Sequence, residues 1–166
     1  RAKDTPNFIG NRIGVFSMLA TMHHTETFGL GFDVVDALTG PAIGRPKSAT
    51  YRTCDVVGLD TMGHVIKTMA DTLPSDPWHG FFFFPDFLQA LIDNKALGQK
   101  TGVGIFKKVG KEIHVFDQAA QTYRPSAAQV DPEVLAILKD KNPQSKFKAL
   151  RASEHPQARF LWACFR

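Results

Sequence analysis

The sequence predicts a mainly α-helical domain built around one long helix near its start, with a small β-hairpin later in the chain. Two observations support this prediction. Apolar residues recur at helical spacing through the first half of the chain, and from Phe8 to Met22 they fall on too many sides for a surface helix. After Gly102 the apolar residues alternate instead, which is typical of strands.

The first helix is predicted to begin at Pro6, with Thr5 as its N-cap. Proline fits the first helical position because its missing N–H would have no partner there, and it biases the preceding residue toward an extended conformation. We expect this helix to be buried and to form the core. Gly10 and Gly14 lie four residues apart on one face, which indicates that another element packs closely there. Asn11 lies beside that face.

Glycines, prolines and capping residues predict four further helices before Gly98. The first covers 32–39 and is ended by Gly40, and the second runs from an N-cap at Ser48 to Gly58. The third is capped by Asp60 and runs to the turn at Pro74–Pro77, and the fourth starts at Pro85. Trp78 and the run Phe81–Phe84 would promote aggregation if they were exposed, so we expect them to pack against the core.

The last third of the chain is predicted to hold the hairpin and then more helices. Apolar residues alternate on both sides of Gly110-Lys111, which is the pattern of a hairpin with its turn at these residues. A helix is predicted to open at Asp131-Pro132-Glu133 and to break at Asn142-Pro143, and further helical segments cover 147–152 and 157–165.

Composition and charge exclude several classes of protein. The 166 residues are 43% hydrophobic, which is enough for one globular core. The net charge of +4 is spread among acidic residues, which argues against a nucleic-acid-binding surface. No apolar run reaches the roughly 18 residues that a membrane span needs. Cys54 and Cys164 form no CxxC pair and follow no signal peptide, so we expect reduced thiols and a cytoplasmic location.

Two short patterns suggest a site, and each has a simpler explanation. The run Gly29–Val34 (GLGFDV) lacks the third glycine of a dinucleotide-binding loop and follows a helix instead of a strand. The pair His23-His24 points to different faces of a helix and has no metal-binding spacing with Glu26 or His64. We therefore interpret the histidines as a polar patch at a helix end.

Asp55 and Asp60 form a third pattern, because two carboxylates close together can act as an acid and a base. They lie five residues apart across Gly58, however. A loop hydrogen-bonding role for Asp55 and an N-cap role for Asp60 fit this spacing better.

Asn11 is the polar residue whose position in the predicted helix requires an explanation. An uncharged amide in a buried helix must find hydrogen-bond partners, or it destabilises the fold by roughly 1–3 kcal/mol. Spacing leaves two interpretations open: a structural amide that ties helices together, and a functional amide that contacts a ligand.

Three runs of residues together resemble the C-terminal helical domain of the 3-hydroxyacyl-CoA dehydrogenases. They are KDTPNFIGNRI from Lys3, VDALTGPAIGRPKSATYRTCDVVGLDT from Val35, and LIDNKALGQKTGVGIFKK up to Lys108. The resemblance implies a multi-helix fold like that of the C-terminal domain of 6-phosphogluconate dehydrogenase. It assigns residues 1–108 to the family's helical domain and residues 109–166 to a hairpin and helical extension that leads toward a further domain in long, multifunctional members.

The resemblance implies that the parent protein is an NAD-dependent (S)-3-hydroxyacyl-CoA dehydrogenase of fatty-acid β-oxidation and a homodimer. In that family a preceding Rossmann domain binds NAD, and a His–Glu pair removes the hydroxyl proton of the acyl-CoA substrate. We expect both to lie before Arg1, in a longer protein of which this chain is a piece. The piece is then expected to be inactive alone and to hold no catalytic, cofactor-binding or metal-binding residue. What carries over is Asn11, which matches the family's substrate-binding asparagine near the reacting oxygen.

The sequence departs from the commoner family pattern at Asn7 and Gly10, where Gly and Val are more usual, and in the loop at Ala42 and 47–50. These departures concern acyl chain length more than family membership. Two other functions stay open: a helical interaction module whose parent has lost the chemistry, and the helical domain of a related dehydrogenase for a small hydroxy acid. The KTGxGxF pattern at 100–106 disfavours the second.

Overall fold

The computed structural model describes residues 4–166, which form eight α-helices and one three-stranded antiparallel sheet. The helices are α1 (Ile9–Thr27), α2 (Phe32–Leu38), α3 (Tyr51–Val57), α4 (Leu59–Thr72), α5 (Asp86–Asp93), α6 (Pro132–Lys139), α7 (Pro143–Ala152) and α8 (Pro156–Phe165), and the strands are β1 (Phe106–Val109), β2 (Glu112–Asp117) and β3 (Thr122–Pro125). The predicted mainly α-helical class is confirmed. Residues 1–3, which include the start of the predicted 1–108 domain and of the KDTPNFIGNRI run, lie outside the described residues.

The longest helix, α1, begins at Ile9 and not at Pro6. Asn7 has a φ of 65°, and a residue in this left-handed conformation cannot continue a right-handed helix. Phe8 takes the N-cap position, with an extended backbone and no side-chain hydrogen bond. The predictions of Thr5 as N-cap and Pro6 as the first helical residue are therefore wrong, because the turn at Asn7 overrides the local signals at both residues.

Burial is confined to the C-terminal part of α1. Leu19 and Met22 belong to the core, and α1 packs against α4 and α8. Near its start, Phe8, Ile9 and Ile13 are 82, 62 and 64% exposed. The prediction of a fully buried central helix is wrong for its first turns, because no element among residues 4–166 covers them.

The two glycines of α1 also face open space. A Cβ added to Gly10 or Gly14 would meet no atom within 4 Å beyond the helix's own neighbouring backbone. The predicted close packing at these glycines is therefore wrong within the described residues. At 3.6 residues per turn, the glycines and the exposed pair Ile9 and Ile13 lie on different sides of the helix. The start of α1 is thus open on more than one side.

The core fills the space between the eight helices and the sheet. Its largest fully buried side chains include Leu19, Leu38, Tyr51, Met62, Ile66, Leu88 and Phe160. Cys54 and Cys164 are free thiols, as expected, and burial raises the pKa of each. None of the helices within residues 4–166 is long and apolar enough to cross a membrane.

Helix α3 begins at Tyr51 with Thr50, and not Ser48, as its N-cap. Its first N–H groups find their acceptor on another helix. The Asp36 carboxylate accepts hydrogen bonds from the backbone N–H groups of Thr50, Tyr51 and Arg52 at 3.1, 2.6 and 2.9 Å. The predicted local cap is wrong because a residue of α2 supplies the cap from a distance.

The aromatic segment between α4 and α5 packs only in part. Phe82 is 6% exposed, and the ring of Phe16 on α1 lies 5.6 Å from the ring of Trp78 and 5.8 Å from that of Phe81. Trp78 nevertheless remains 55% exposed. The expectation of packing against the core is confirmed for Phe82 and wrong for Trp78, whose outer face no described element covers.

The sheet contains the predicted hairpin and one more strand. β1 and β2 pair antiparallel around Gly110-Lys111, with Phe106 opposite Val115 on the buried face. The additional strand, β3, pairs with β2 at the edge of the sheet. Its sequence, TYRP, is short, half-exposed and ended by a proline, which a strand tolerates mainly at an edge. It therefore carries no alternating apolar signal that predicts a strand.

The C-terminal helices return the chain to the core. Phe160 and Leu161 of α8 are fully buried, and the ring of Phe160 lies 6.3 Å from that of Phe28. The predicted helical segments after the hairpin are confirmed. Asn142 caps α7 and Pro143 is its first residue, so this pair starts a helix, whereas the preceding helix, α6, already ends at Lys139.

A buried carboxylate joins the sheet to the helices. Asp33 of α2 is 2% exposed and accepts two hydrogen bonds from the Arg124 guanidinium, at 2.9 and 3.0 Å, and one from the N–H of Ala127 at 2.8 Å. Burial by itself raises the pKa of Asp33, but the hydrogen bonds from Arg124 and Ala127 outweigh it and lower the pKa below its usual value. Asp33 is therefore ionised at neutral pH and holds β3 against α2.

Asp33→Ala is expected to lower the free energy of unfolding by about 1.5–3 kcal/mol, the range for hydrogen bonds to a charged group. The pKa of Asp33 is lower in the folded chain than in the unfolded chain. Its carboxylate therefore stabilises the fold fully at pH values above the unfolded pKa, and this stabilisation is lost as the pH falls through the folded pKa. The loss caused by the substitution is expected to shrink at acid pH for this reason. Urea denaturation measures both quantities. As a control, Lys67→Ala breaks the exposed pair with Asp71 and should remove less than about 0.5 kcal/mol. Equal losses in the two variants would contradict the role of Asp33.

Candidate functional site

Asn11 lies at the exposed start of α1, beside a depression of about 540 Å³. The depression is lined by Asp4, Thr5, Asn7, Phe8, Ile9 and Asn11. Because Asn11 is exposed, its amide is solvated and needs no partner inside the protein. The interpretation of Asn11 as a buried structural amide is therefore wrong within this chain, since the helix start that was expected to be buried is open.

The start of α1 gives this depression a polar edge. No side chain caps the helix, and its first turn contains no acidic residue. The backbone N–H groups there carry a partial positive charge, which favours an oxygen with negative charge. Asn11 can add a hydrogen bond from its side-chain amide, but it cannot take up or release a proton. The arrangement can orient and stabilise an oxygen, and it cannot supply an acid or a base from Asn11.

Arg12, next to Asn11, attaches the start of α1 to the turn after α4. Its guanidinium forms an ion pair with Asp76, whose carboxylate also accepts a hydrogen bond from the N–H of Trp78 at 2.9 Å. The hydrogen bonds from Trp78 and Arg12 lower the pKa of Asp76 below its usual value. Asn11 therefore sits on a turn of helix whose position is fixed from one side.

The KTGxGxF pattern forms a junction around Asp55 of α3. The two carboxylate oxygens of Asp55 accept hydrogen bonds from the backbone N–H groups of Ile105 and Phe106, each at 2.8 Å. Asp55 is 6% exposed. The predicted role of Asp55 as a hydrogen-bonding partner of loop backbone is confirmed. Together with Gly98 and Gly104, these three residues are called the Asp55 junction below.

Two glycines allow the backbone to approach Asp55. A Cβ on Gly104 would lie 2.1 Å from the Oδ1 of Asp55, and a Cβ on Gly98 would lie 2.3 Å from the Asp55 carbonyl oxygen. Gly98 also has a φ of 99°, which other residues rarely adopt. The glycines are needed because the loop touches α3, and no ligand has to be invoked to explain them.

Lys100 of the same pattern pairs with Asp60 at the start of α4. Its Nζ donates to both carboxylate oxygens of Asp60 at 2.6 Å, and this hydrogen bond lowers the pKa of Asp60. The N-cap of α4 is Gly58, which has a φ of 96° and also ends α3. The prediction of Asp60 as N-cap is therefore wrong, because the two helices follow each other directly and leave no room for a separate cap.

The other candidate patterns are not assembled into a site. Gly31 of the GLGFDV run is the N-cap of the seven-residue α2, and a helix precedes the run. His23 and His24 lie on α1 with ring centroids 5.4 Å apart, while His64 lies on α4, where its Nδ1 is 2.7 Å from the carbonyl oxygen of Asp60. Between residues 4 and 166, no three His, Cys, Asp or Glu side chains are placed to hold a metal ion.

Comparison with known proteins identifies the family. A family model described as the 3-hydroxyacyl-CoA dehydrogenase, C-terminal domain, matches residues 8–108. The match includes Asn11 and the whole Asp55 junction. The chain therefore belongs to the 3-hydroxyacyl-CoA dehydrogenase family and contains its C-terminal domain, as the resemblance implied.

Similar proteins carry matching names. The chain is 42% identical over 161 residues to a probable 3-hydroxyacyl-CoA dehydrogenase of Bacillus subtilis, and the alignment covers 97% of this chain and 20% of that protein. It is 40% identical over 111 residues to a protein of the same name from Deinococcus radiodurans, and the alignment covers 67% of this chain and 31% of that protein. It is 34% identical over 142 residues to a fatty acid oxidation complex subunit alpha of Psychrobacter arcticus, and the alignment covers 78% of this chain and 18% of that protein. The chain thus spans between a fifth and a third of the length of the first two relatives. No solved structure matches.

Gly104→Ala is expected to lower the free energy of unfolding by about 3 kcal/mol or more, because its Cβ would overlap with the Oδ1 of Asp55. Gly14→Ala is the matched control. Its Cβ enters open space inside a helix, so it should raise the free energy of unfolding by up to about 1 kcal/mol. Chemical denaturation of both variants measures these opposite signs. A Gly104→Ala variant as stable as the unmodified chain would contradict the close approach at the Asp55 junction.

The two buried carboxyls of α2 and α3 are expected to titrate in an unusual range. Burial raises the pKa of Asp36 and of Asp55 to about 6 each, although the backbone N–H groups that donate to them act in the opposite direction. Because both folded pKa values lie above the ordinary value of 3.8, the folded chain binds more protons than the unfolded chain between about pH 4 and pH 6. Their contribution to stability is therefore full below this window and is lost as the pH rises through it.

Carboxyl-carbon NMR titration of the folded chain checks these values. We expect midpoints near pH 6 for Asp36 and Asp55 and midpoints below the usual range for Asp33 and Asp60, whose pKa values are lowered. Midpoints of Asp36 and Asp55 below the ordinary range would show that the N–H donors outweigh burial. The pH dependence of stability would then have the opposite sign.

Proposed function

We propose that this chain supplies the substrate-covering part of an NAD-dependent (S)-3-hydroxyacyl-CoA dehydrogenase of fatty-acid oxidation. The observation that carries the proposal is the position of Asn11 at the open, uncapped start of α1, beside a depression. The names of the relatives from Bacillus and Deinococcus support the activity, and that of the Psychrobacter relative supports fatty-acid oxidation.

The exposed start of α1 supports an upstream domain that covers it. Phe8, Ile9 and Ile13 are more than half exposed, and such a group of apolar side chains usually marks a contact surface. We assign residues 1–108 to the helical dehydrogenase domain and residues 109–166 to an extension toward a further domain. On this division the upstream domain contacts the start of α1, and the extension packs against the opposite end of α1 through α8.

NAD is assigned to the upstream domain and not to the described residues. The GLGFDV run is the segment nearest to a dinucleotide-binding pattern, and it connects two helices where such a loop needs a preceding strand. These residues do not fit NAD. The His–Glu pair that removes the hydroxyl proton is likewise assigned upstream. The chain alone is therefore expected to be catalytically inactive.

The role assigned to Asn11 is the stabilisation of charge. When the substrate hydroxyl loses its proton, negative charge develops on its oxygen. A hydrogen bond from the Asn11 amide, added to the partial positive charge at the start of α1, stabilises that oxygen more as its charge grows. Such a contact favours the transition state over the bound substrate and so increases turnover.

The assembly is proposed to be a cytoplasmic homodimer. Trp78 is 55% exposed next to Ile13, and both line one depression with Phe16 and Phe82. An apolar surface of this kind suits burial in a contact between protein subunits.

A non-catalytic interaction module is the second candidate. It is favoured by the fact that Asn11 cannot transfer a proton and that Asp55 is fully engaged with backbone. The upstream sequence distinguishes the two functions. A nucleotide-binding glycine motif followed by a His and a Glu supports the enzyme, and their absence supports the module.

Asn11→Ala in the full-length protein is expected to lower kcat/KM for NAD-dependent oxidation of 3-hydroxybutyryl-CoA by roughly 10–1000-fold, the range for one lost transition-state contact. Stability should change by less than about 0.5 kcal/mol, because the Asn11 side chain makes no hydrogen bond within residues 4–166 and its proposed partner is the substrate. Steady-state kinetics and thermal melting of the same preparation give both numbers.

Asn94→Ala provides the matched control. Asn94 is also exposed, and its amide donates only to the carbonyl oxygen of Ala90 at the end of α5. We expect its kcat/KM to equal that of the unmodified enzyme. If Asn11→Ala melts several degrees lower while kcat/KM per folded molecule is unchanged, Asn11 has a structural role and the assignment is wrong.

A further inference from the structure

A second surface site lies away from Asn11, in a groove of about 670 Å³ between α3, the loop before it, the turn at 98–102 and the β1–β2 hairpin. Four of its lining residues are basic, namely Lys47, Arg52, Lys107 and Lys108, and of these Lys107 turns its side chain to the opposite face of the sheet. We propose that this basic groove binds the phosphate monoester group of a small organic ligand such as a nucleotide. It shares no lining residue with the Asn11 depression and does not depend on the proposed dehydrogenase activity.

The positive charge of the basic groove is available to a ligand. None of the ion pairs within residues 4–166 includes Lys47, Arg52, Lys107 or Lys108. Asp55 is the acidic residue in the lining, and both of its oxygens already accept backbone N–H groups. A ligand with two negative charges therefore meets cations that it does not have to take from an existing ion pair.

One of the cations is held in place by an aromatic ring. The guanidinium carbon of Arg52 lies 4.3 Å from the centroid of the Phe106 ring, whereas the Nζ of Lys107 lies 4.0 Å from that of Tyr123, on the opposite face of the sheet from Phe106 and Lys108. Such contacts orient a cation before a ligand arrives, which reduces the entropy lost on binding. A guanidinium over a ring also keeps its N–H edge free, and that edge matches two phosphate oxygens. Arg52 is therefore assigned as the anchor.

The remaining walls of the basic groove indicate a small molecule with an apolar or flat part. Val56 and Ile113 line the same groove and are 55 and 37% exposed. A concave site whose volume lies within the usual range of about 300–1,000 Å³ suits a ligand that enters it, whereas a membrane surface is flat. Val56 lies one helical turn from Arg52, and Ile113 lies opposite Lys108, so apolar side chains border the cations and fit a phosphate monoester joined to a ring system.

The test is isothermal titration of the purified 166-residue chain at near-physiological salt with AMP, adenosine, inorganic phosphate and coenzyme A. We expect saturable binding of AMP, weaker binding of phosphate and no binding of adenosine. Coenzyme A carries a 3′-phosphate, so tighter binding of coenzyme A than of AMP assigns the groove to the nucleotide part of an acyl-CoA, and the reverse order assigns it to a free nucleotide. Absence of saturable AMP binding overturns the proposal. This holds even if the chain binds vesicles that contain phosphatidylserine, because such binding would indicate a membrane surface and not a small ligand.

Two double variants with the same change in net charge separate a site from general attraction. Lys47→Glu with Lys108→Glu is expected to weaken AMP binding at least about tenfold. Lys141→Glu with Lys148→Glu alters two exposed lysines, one before α7 and one within it, outside the groove lining, and should change binding less than about twofold because salt screens distant charges.

Arg52→Lys adds a test of geometry at constant charge. It keeps the cation but removes the planar fork and its contact with Phe106, so we expect the binding of both AMP and inorganic phosphate to weaken severalfold. Thermal melting confirms that each variant is folded. Equal loss in both double variants would show non-specific charge attraction and overturn the proposal.

Discussion

The carboxylate of Asp55 is the interaction on which the arrangement of helices and sheet depends. It accepts the N–H groups of two residues that lie about fifty positions further along the chain, at the start of β1. The approach leaves no space for a side chain at Gly98 or Gly104. Since β1 is an edge strand that pairs with β2, this contact fixes the first edge of the sheet to α3.

A second carboxylate, Asp33, attaches the far edge of the sheet. It holds Arg124 of β3 against α2, so the three strands are fixed to the helices at both edges. The basic groove lies beside the first of these attachments, and its anchor Arg52 packs on Phe106, a member of the Asp55 junction. The geometry of this surface is therefore set by buried hydrogen bonds and does not rely on the exposed lysines themselves.

The sequence predicted the helices well because their burial patterns are local. Periodic apolar residues located α2 and α4, and Gly110-Lys111 located the hairpin. The predictions failed where a residue distant in sequence determines where a helix starts. Asp36 caps α3 from another helix, and no residue near Ser48 indicates this. The start of α1 failed for a different reason, because the apolar residues Phe8 to Ile13 predict burial, and no part of residues 4–166 buries them. For the candidate site, spacing alone placed Asn11 in a core. Its role came from the resemblance of the surrounding motif, since an exposed asparagine has no distinctive sequence pattern.

The exposed start of α1 carries the substrate role that we propose for this chain, and a crystal structure of the full-length protein with NAD and a 3-ketoacyl-CoA tests that role most directly. The distance from the Asn11 Nδ2 to the C3 oxygen of the acyl group is the quantity to measure. We predict a hydrogen bond of about 3 Å, with Phe8, Ile9 and Ile13 covered by the upstream domain. An Asn11 side chain that faces solvent, with the acyl group bound elsewhere, would contradict the assignment of this surface as the substrate site.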